Sequence, residues 1–308
     1  MTKFQEVLSH LTDSRVQTAT RIKAKVIEHA GTFLRKKGFI ELLPTMISPL
    51  TDPLNHEVVN AAFDYYGTKF SITQSMIFHK QLALNSFDKI FIISPNVRLE
   101  TSEKKNSGIH LYEFTQVDIE VKDAKREDIM EIIEELFIYT ITKIKEENYI
   151  QLEELGSQIE IPKKGFKKVK FLDGLKKYGE DFEKIISEQS TEPFWLIDIP
   201  LEKREFYDRL SSDGKTLLDM DLILPYGYGE TLSGGERENE YDTIIGRMEQ
   251  RGNKPEDLPV YYDFAKENKL PKCAGCGFGV ERLTRYICNL EHVSKTRLFP
   301  KVPGKASI

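Results

Sequence analysis

Charged and aromatic residues that are suited to binding a nucleotide lie close together in the segment "VRLETSEKKNSGIHLYEFTQVDIE". Arg98 and Glu100 fall on one predicted strand, and a polar loop then leads to His110, Phe114 and Asp118. Arginine and histidine can pair with phosphates, and an aromatic ring can stack on a base. Each residue alone is more often structural, but the set in this order predicts a nucleotide site on a hairpin.

The segment "GCGFGVER" has glycine at every second position, at Gly275, Gly277 and Gly279. Along a strand, this alternation leaves one face without side chains, so that a flat group can lie directly on the backbone. Arg282 follows at the start of a predicted helix, where its guanidinium can reach a phosphate at the edge of the bare face. We therefore predict that this segment forms the floor of the nucleotide site.

The segment "TLSGGERE" is similar to the signature loop of ABC-type ATPases. Such an ATPase also needs a phosphate-binding loop, Gly-x-x-x-x-Gly-Lys-Ser/Thr, between a strand and a helix. The nearest match, "RLSSDGKT", has Arg209 at the first glycine position. The sequence therefore argues against an ATPase of that class, and the glycine pair must serve other chemistry.

The elements that would position these residues are predicted from hydrophobic periodicity. Helices are predicted over residues 18–37 and from about residue 127, and strands in "TKFSIT", "KIFIIS", "YEFTQVDIEV", "FWLIDIP", "LLDMDLILP" and "GCGFGV". Because strands and helices do not alternate regularly, we predict an α+β fold with a mixed, mostly antiparallel sheet flanked by helices. Residues 1–308 are expected to form a single catalytic domain, with a less ordered insertion around 146–190.

The composition is that of an ordinary soluble protein. The chain has 308 residues, 40% of them hydrophobic and 30% charged, and a formal net charge of −5. An acidic balance argues mildly against broad nucleic-acid binding. The three cysteines suggest a reducing compartment, and no segment resembles a signal peptide or a membrane span. The sequence therefore predicts a cytoplasmic protein.

The pair Cys273 and Cys276 is better explained as small residues on a tight strand than as zinc ligands, since a zinc site needs two more ligands.

Three segments resemble the motifs of the class II aminoacyl-tRNA synthetases. "RLE…HLYEFTQVD" resembles motif 2, "GCGFGVER" resembles motif 3, and "GFIELLPTMISP" resembles motif 1, although Pro44 falls one position early. "ITQSMIFHKQ" and "LEHVSKTRLFPKVPG" are similar to the aspartyl and asparaginyl enzymes. Within that subgroup, "SMIFHKQLA", "LSGGEREN" and "PYGYGE" most resemble archaeal asparagine synthetase-like proteins related to asparaginyl-tRNA synthetase.

The resemblance implies roles for individual residues, which fall into three sets. Arg98 and Arg282 would be catalytic, by stabilising charge on the phosphates of ATP. The ATP-binding residues would be Arg98, Glu100, His110, Phe114, Glu230, Gly277, Gly279 and Arg282. The amino-acid substrate would be bound by Ser75, Lys80, Gln116, Asp118 and Arg237, and Mg²⁺ by Glu230, Ser233 and Asp221.

The resemblance has three departures that bear on function. We expect no anticodon-binding domain in this protein, and Ile109 replaces an arginine in motif 2. Ile77 replaces a glutamine that in the family helps to bind the amino group of the substrate. Asparagine synthesis requires aspartate to bind turned around, with its β-carboxylate at the α-phosphorus, and this would make the lost contact unnecessary.

The sequence therefore predicts ATP-dependent synthesis of asparagine from aspartate and ammonia, through a β-aspartyl-adenylate, with release of AMP and pyrophosphate. Two cations, Lys80 and Arg237, favour aspartate over asparagine as the ligand. The expected partners are ATP, aspartate, ammonia and a second copy of the chain, with tRNA as a partner considered unlikely. The alternatives are a truncated asparaginyl- or aspartyl-tRNA synthetase, an aminoacyl transferase, or a non-catalytic nucleotide-binding paralogue.

Overall fold

A large mixed sheet forms the centre of the computed structural model, which describes residues 2–305. The strands of this part of the chain are β1 (Ile40–Leu42), β2 (Ile47–Ser48), β3 (Ala62–Tyr65), β4 (Thr68–Ile72), β5 (Lys89–Val97), β6 (Glu113–Lys122), β7 (Lys167–Lys170), β8 (Phe194–Ile197), β9 (Asp219–Leu224), β10 (Gly229–Glu236) and β11 (Cys273–Gly279). Eight of them are arranged in the order β1-β5-β6-β11-β10-β9-β8-β7, and a second sheet has the order β2-β4-β3. Only the two outermost pairs of the large sheet, β1–β5 and β7–β8, are parallel. The predicted α+β fold with a mostly antiparallel sheet is confirmed.

Three helices cover one face of the large sheet, and other helices pack against parts of the opposite face. In chain order, the α-helices of the described residues are α1 (Lys3–Thr12), α2 (Ser14–Lys36), α3 (Ile77–Ala83), α4 (Arg126–Glu147), α5 (Tyr149–Glu154), α6 (Phe171–Tyr178), α7 (Phe182–Gln189), α8 (Tyr241–Arg251), α9 (Pro259–Lys266) and α10 (Val280–Ile287). Apolar residues of α2, α4 and α10 form the main core with those of the sheet. None of these helices has the length and the apolar composition needed to cross a bilayer.

Strand β6 shows how the sheet separates its two faces. Val117, Ile119 and Val121 point into the core beneath the helices. Asp118 and Glu120, which alternate with them, point to the opposite face. Both acids are nevertheless buried, with 3% and 0% of their surface exposed. Polar side chains are therefore concentrated on the face of the sheet that carries Asp118 and Glu120.

Residues 146–190 contain regular structure, unlike the less ordered insertion expected from the sequence. Helices α5, α6 and α7 and strand β7 lie in this segment, and β7 forms an edge of the large sheet. Val169 and Phe171 pack with Phe182 and Phe194 in a separate apolar cluster. The segment is ordered because its few apolar residues fall on one side of short helices, a pattern that the abundant Lys and Glu residues obscure.

The segment that resembles motif 1 forms two short strands, β1 and β2, which belong to different sheets. Several of its apolar side chains are exposed, among them Ile40 (47%), Leu43 (90%) and Ile47 (50%). These side chains are therefore not covered within one chain. Dimerisation through this segment remains a prediction.

Candidate active site

A cavity of about 460 Å³ opens on the face of the sheet opposite to α2, α4 and α10. Strands β6, β10 and β11 provide its floor, and α3 and the loops before it provide one wall. The predicted site residues that line it are Ser75, Lys80, Arg98, Glu100, His110, Phe114, Gln116, Asp118, Glu230, Ser233, Arg237, Gly277, Gly279 and Arg282. The remaining predicted residue, Asp221, lies directly behind the lining, opposite Ser233 across the β9–β10 pair.

Five buried side chains form what we call the charged cluster: Lys80, Asp118, Glu120, Asp208 and Arg237. Lys80 Nζ lies 2.9 Å from Asp118 Oδ1 and 3.5 Å from Glu120 Oε2. Arg237 donates from Nε to Glu120 Oε1 (2.9 Å) and from a terminal nitrogen to Asp208 Oδ1 (3.1 Å). Burial opposes the charge of Lys80, but the two acids beside it outweigh that effect and raise the pKa of its ammonium. The cluster holds three carboxyl groups and two cations, so each cation is compensated within the protein.

The glycines of β11 make room for this cluster. A Cβ at Gly275 would overlap the Ile119 carbonyl oxygen and the Glu120 carboxylate, and a Cβ at Gly277 would lie 2.6 Å from Asp118 Oδ1. The space that the sequence suggested for a flat ligand is therefore occupied at these two positions by acids of β6. Gly279, by contrast, lies beside the Arg282 stem, at 3.6 Å.

Asp52, a buried acid outside the charged cluster, lines the cavity from the loop that follows β2. Only 4% of its surface is exposed. Its carboxylate accepts hydrogen bonds from the Tyr207 hydroxyl (3.1 Å) and the Leu54 amide (3.1 Å). Burial raises the pKa of Asp52, and the positive charge of Arg98 only partly offsets this. Ile77 also lines the cavity and offers no polar group.

Arg98, Phe114 and Arg282 form another part of the cavity lining. The Arg98 guanidinium lies over the Phe114 ring, 5.3 Å from its centroid, and its Nε donates to the Gln74 carbonyl oxygen (3.0 Å). Arg282 donates to the Glu230 carbonyl oxygen (2.9 Å) and to its Oε1 (3.2 Å). Two fixed guanidinium groups and an aromatic face are groups suited to phosphates and to a base.

His110 lies beside these residues, with its Nδ1 2.7 Å from the Ser107 hydroxyl. Burial, followed by the charges of Arg282 and Lys104, lowers the pKa of His110 to about 4. The imidazole is therefore neutral near pH 7. The sequence suggested a possible cation here, whereas the structure offers phosphates a hydrogen-bond donor.

The acids expected to bind Mg²⁺ lie where β9 and β10 pair. Asp221 contacts Arg204, and its Oδ1 is buried without a hydrogen-bond partner. Burial raises the pKa of Asp221 to about 6, Arg204 opposes this rise, and Glu230 adds to it. Glu183 on α7 lies nearby, and burial with the charges of Glu230 and Asp221 raises its pKa to about 7.

These acids fit a divalent cation that is also held by phosphates. Within residues 2–305, no group of three or more Asp, Glu, His or Cys side chains has a geometry that could hold a metal by itself. Mg²⁺, however, usually takes one or two carboxylates together with water and substrate phosphates. The unpartnered oxygen of Asp221 and the half-exposed Glu230 match that requirement.

Several residues that shape the cavity were not predicted from the sequence. Glu120 could have been found, because its spacing from Asp118 places both on the same face of β6. Asp52, Arg204 and Asp208 lie in loops that no motif marks, and only the fold brings them to the cavity.

Comparison with known proteins agrees with the fold. Residues 1–303 match the family model of tRNA synthetases class II (D, K and N). The chain is 26% identical over 316 residues to an asparagine–tRNA ligase of Pyrococcus abyssi, covering 96% of this chain and 71% of that protein. It is 29% identical to an asparagine–tRNA ligase of Desulforamulus reducens, covering 94% and 70%. The structure of asparaginyl-tRNA synthetase from Pyrococcus horikoshii complexed with asparaginyl-adenylate superposes with a TM-score of 0.86 at 24% identity, covering 95% and 70%.

These matches overturn two predictions made from the sequence. The similar proteins are asparagine–tRNA ligases, so the prediction of asparagine synthesis from aspartate and ammonia is wrong. The expectation that tRNA is an unlikely partner is wrong for the same reason. The physical error lay in counting Lys80 and Arg237 as cations that await a substrate carboxylate, since both are already paired with acids of the protein.

Proposed function

The chain belongs to the class II tRNA synthetase family of the D, K and N type, and we propose that it activates asparagine with ATP and transfers the asparaginyl group to tRNA. The names of its relatives in Pyrococcus abyssi and Desulforamulus reducens support this proposal. The choice of asparagine within the family rests on one structural observation, the internal pairing of the charged cluster.

The charged cluster favours a neutral side chain. It already contains one more carboxyl group than cations, and each of its members is at least nine-tenths buried. The β-carboxylate of aspartate would add a further negative charge to this poorly solvated site, whereas the amide of asparagine adds none. The amide can also donate to Asp118 and accept from Lys80 or Arg237. A site that satisfies both halves of an amide discriminates against an isostere that cannot donate.

The reaction requires no nucleophile from the protein. The α-carboxylate of asparagine attacks the α-phosphorus of ATP, the bond to the pyrophosphate oxygen breaks, and asparaginyl-adenylate forms. A ribose hydroxyl at the 3′ end of tRNA then attacks the carbonyl carbon, and AMP leaves. Arg98 and Arg282 supply fixed positive charge where negative charge develops, and His110 supplies a neutral donor. Positioning and charge neutralisation thus carry both steps.

Glu230, Asp221 and Ser233 would hold Mg²⁺ in this arrangement. The ion would supply positive charge that neutralises the phosphate oxygens. Arg204 would keep Asp221 in place through their ion pair. We also propose that the chain acts as one catalytic domain, because the large sheet joins β1 near the start of the chain to β11 near its end.

The proposal is tested by isotope exchange between pyrophosphate and ATP, measured with asparagine and with aspartate. We expect exchange that depends on asparagine, with a kcat/KM at least about 100-fold higher than that for aspartate. Charging of tRNA with radiolabelled asparagine should follow. Preference for aspartate in the exchange would contradict the charge argument, and exchange without any charging of tRNA would contradict the second step.

A further inference from the structure

A separate cavity, of about 440 Å³, lies where α10 ends and β10 begins. None of its described lining residues also lines the active-site cavity. A volume of this size is typical of sites that bind small molecules. Among its described lining residues there is no lysine or arginine. The lining residues that could recognise a ligand are three tyrosines and two acids: Tyr226, Tyr228, Tyr286, Glu160 and Glu192.

The Tyr286 side chain places a hydroxyl without a partner in this cavity. The residue is 8% exposed, and within residues 2–305 its hydroxyl makes no hydrogen bond. The neighbouring Tyr228 hydroxyl, by contrast, donates to Asn289 Oδ1 (2.9 Å). A buried hydroxyl that forms no hydrogen bond is costly, and this cost is removed when a ligand bonds to it.

Glu160 and Glu192 give the cavity a negative charge. Both are exposed to solvent, and within the described part of the chain neither forms an ion pair, unlike Glu131 on α4 and Glu188 on α7. Burial raises the pKa of the Tyr286 hydroxyl, and neighbouring tyrosines and the charges of Glu160 and Glu192 add to this rise. Both carboxylates therefore act on the same hydroxyl. A cavity with this charge attracts a positive ligand.

Tyr226 supplies an aromatic ring and is held in an uncommon backbone conformation. Its φ of +58° lies in the left-handed region, which bulky residues rarely adopt. Such conformations are concentrated at binding sites, where the surrounding structure holds them. The Tyr228 ring already has the Arg285 guanidinium 4.7 Å from its centroid. Within residues 2–305 the Tyr226 ring has no such cation and is 58% exposed, so it can accept one from a ligand.

We propose that this cavity binds a primary alkylammonium group, as found at the end of a polyamine or of a lysine side chain. The ammonium has three N–H donors, and the cavity offers three acceptors: the Tyr286 hydroxyl and the carboxylates of Glu160 and Glu192. The Tyr226 ring contacts the charge from the side. The alkyl chain packs against apolar lining residues such as Ile159. This site is independent of the proposed function.

The test measures the binding of pentylammonium by calorimetry at pH 7. Two analogues serve as comparisons: 1-pentanol lacks the charge, and pentyltrimethylammonium keeps the charge but cannot donate a hydrogen bond. Pentylammonium should bind at least about 10-fold more tightly than either analogue, because only it combines charge with donors. Equal binding of pentylammonium and 1-pentanol, or no binding of pentylammonium, would overturn the inference.

Three variants locate the ammonium within the cavity. Tyr286→Phe removes only the hydroxyl and should weaken pentylammonium binding by about 10-fold, because a hydrogen bond to a charged group is lost. Tyr226→Gly keeps the positive φ without strain, removes the ring and should weaken binding by about 2- to 5-fold. Glu160→Gln combined with Glu192→Gln should weaken binding by about 5-fold, as expected for two exposed charge pairs. None of the three should alter the binding of 1-pentanol by as much.

A matched control addresses the general attraction of a cation to a chain with a net charge of −5. Glu267→Gln removes an exposed acid that does not line the cavity, and it should leave the affinity unchanged. Thermal unfolding of each variant reports whether the fold is kept. If pentylammonium binds the wild type and all three cavity variants equally, the cation lies elsewhere and the inference fails.

Two further ligands distinguish the sources of the ammonium group. Spermidine represents a free polyamine, and acetyl-Gly-Lys-Gly-amide represents a lysine of another protein. Each is titrated into the wild type and into Tyr286→Phe, in about 0.15 M salt to screen non-specific attraction. The source whose affinity falls by about 10-fold in the variant is the one that the cavity accepts. If neither ligand loses affinity in Tyr286→Phe, the cavity does not bind alkylammonium groups of either source and the inference is overturned.

Discussion

Replacing Lys80 by methionine tests the energetics of the charged cluster most directly. The Lys80 ammonium lies 2.9 Å from Asp118 and 3.5 Å from Glu120, and the side chain is 3% exposed. At an effective dielectric constant of about 20, each of these attractions amounts to about 5 kcal/mol. Removing the ammonium from water costs several kcal/mol, which offsets much of that attraction. Lys80→Met, however, keeps the buried carboxylates of Asp118 and Glu120 and removes the cation that compensates them.

We therefore expect Lys80→Met to lower the free energy of unfolding by about 3–5 kcal/mol. Trp195 is the only tryptophan of the chain. It is fully buried and donates from its indole nitrogen to Glu134 (2.8 Å), so its fluorescence reports unfolding in urea. The double variant Lys80→Met with Asp118→Asn also removes the Asp118 charge, which Lys80 no longer compensates. It should regain part of the lost free energy of unfolding, which a double-mutant cycle would measure.

Lys164→Met is the matched control. Lys164 makes two ion pairs, with Glu131 and Glu135, both at 2.7 Å, but all three side chains are accessible to solvent. Exposed ion pairs contribute little to stability, so this variant should unfold like the wild type. A loss below about 1 kcal/mol for Lys80→Met, or equal losses for the two lysines, would refute the view that burial makes the charged cluster costly to break.

Three other predictions concern catalysis and assembly. Arg98→Ala should slow asparagine-dependent pyrophosphate exchange by about 10²- to 10³-fold, because a fixed charge donor is lost, and activity within a few-fold of wild type would remove Arg98 from the mechanism. His110→Asn should change the KM for ATP by the same factor at pH 6 and pH 8, since a pKa of about 4 keeps His110 neutral at both; a factor that differs between the two pH values would show that His110 acts as a cation. The chain should be a dimer at micromolar concentration, and Leu43→Glu with Ile47→Glu should yield monomers in light scattering, because both side chains are exposed on the predicted interface; a wild-type monomer would exclude this interface.

All but one of the site residues predicted from the sequence line the cavity, largely because the motifs lie on adjacent strands. Gln116 and Asp118 on β6 pair in register with Gly279 and Gly277 on β11, so residues far apart in the chain come together once the sheet forms. Alternation along a strand is visible in a sequence and indicates which residues share a face.

The pairing of charges was not visible in the sequence. Arg237 is 117 residues from Glu120 and 29 residues from Asp208, its two partners. No periodicity connects them, so the arginine was interpreted as free to bind a substrate carboxylate. The mistaken choice of aspartate follows from that omission, because the charge of a ligand can be inferred only from the sum of all charges in its site. The order in residues 146–190 was missed for a related reason, since the apolar contacts that stabilise it join separate short elements.

The two edges of the large sheet differ in a way that limits how copies of the chain can associate. At one edge, β7 carries three lysines that are exposed to solvent, Lys167, Lys168 and Lys170. Charged side chains on an edge strand discourage pairing with another sheet. At the other edge, β1 lies beside exposed apolar residues, including Ile40 and Leu43. If copies associate at the β1 edge, as we predict, the lysines of β7 would prevent extension at the other edge, so association would stop at a closed pair.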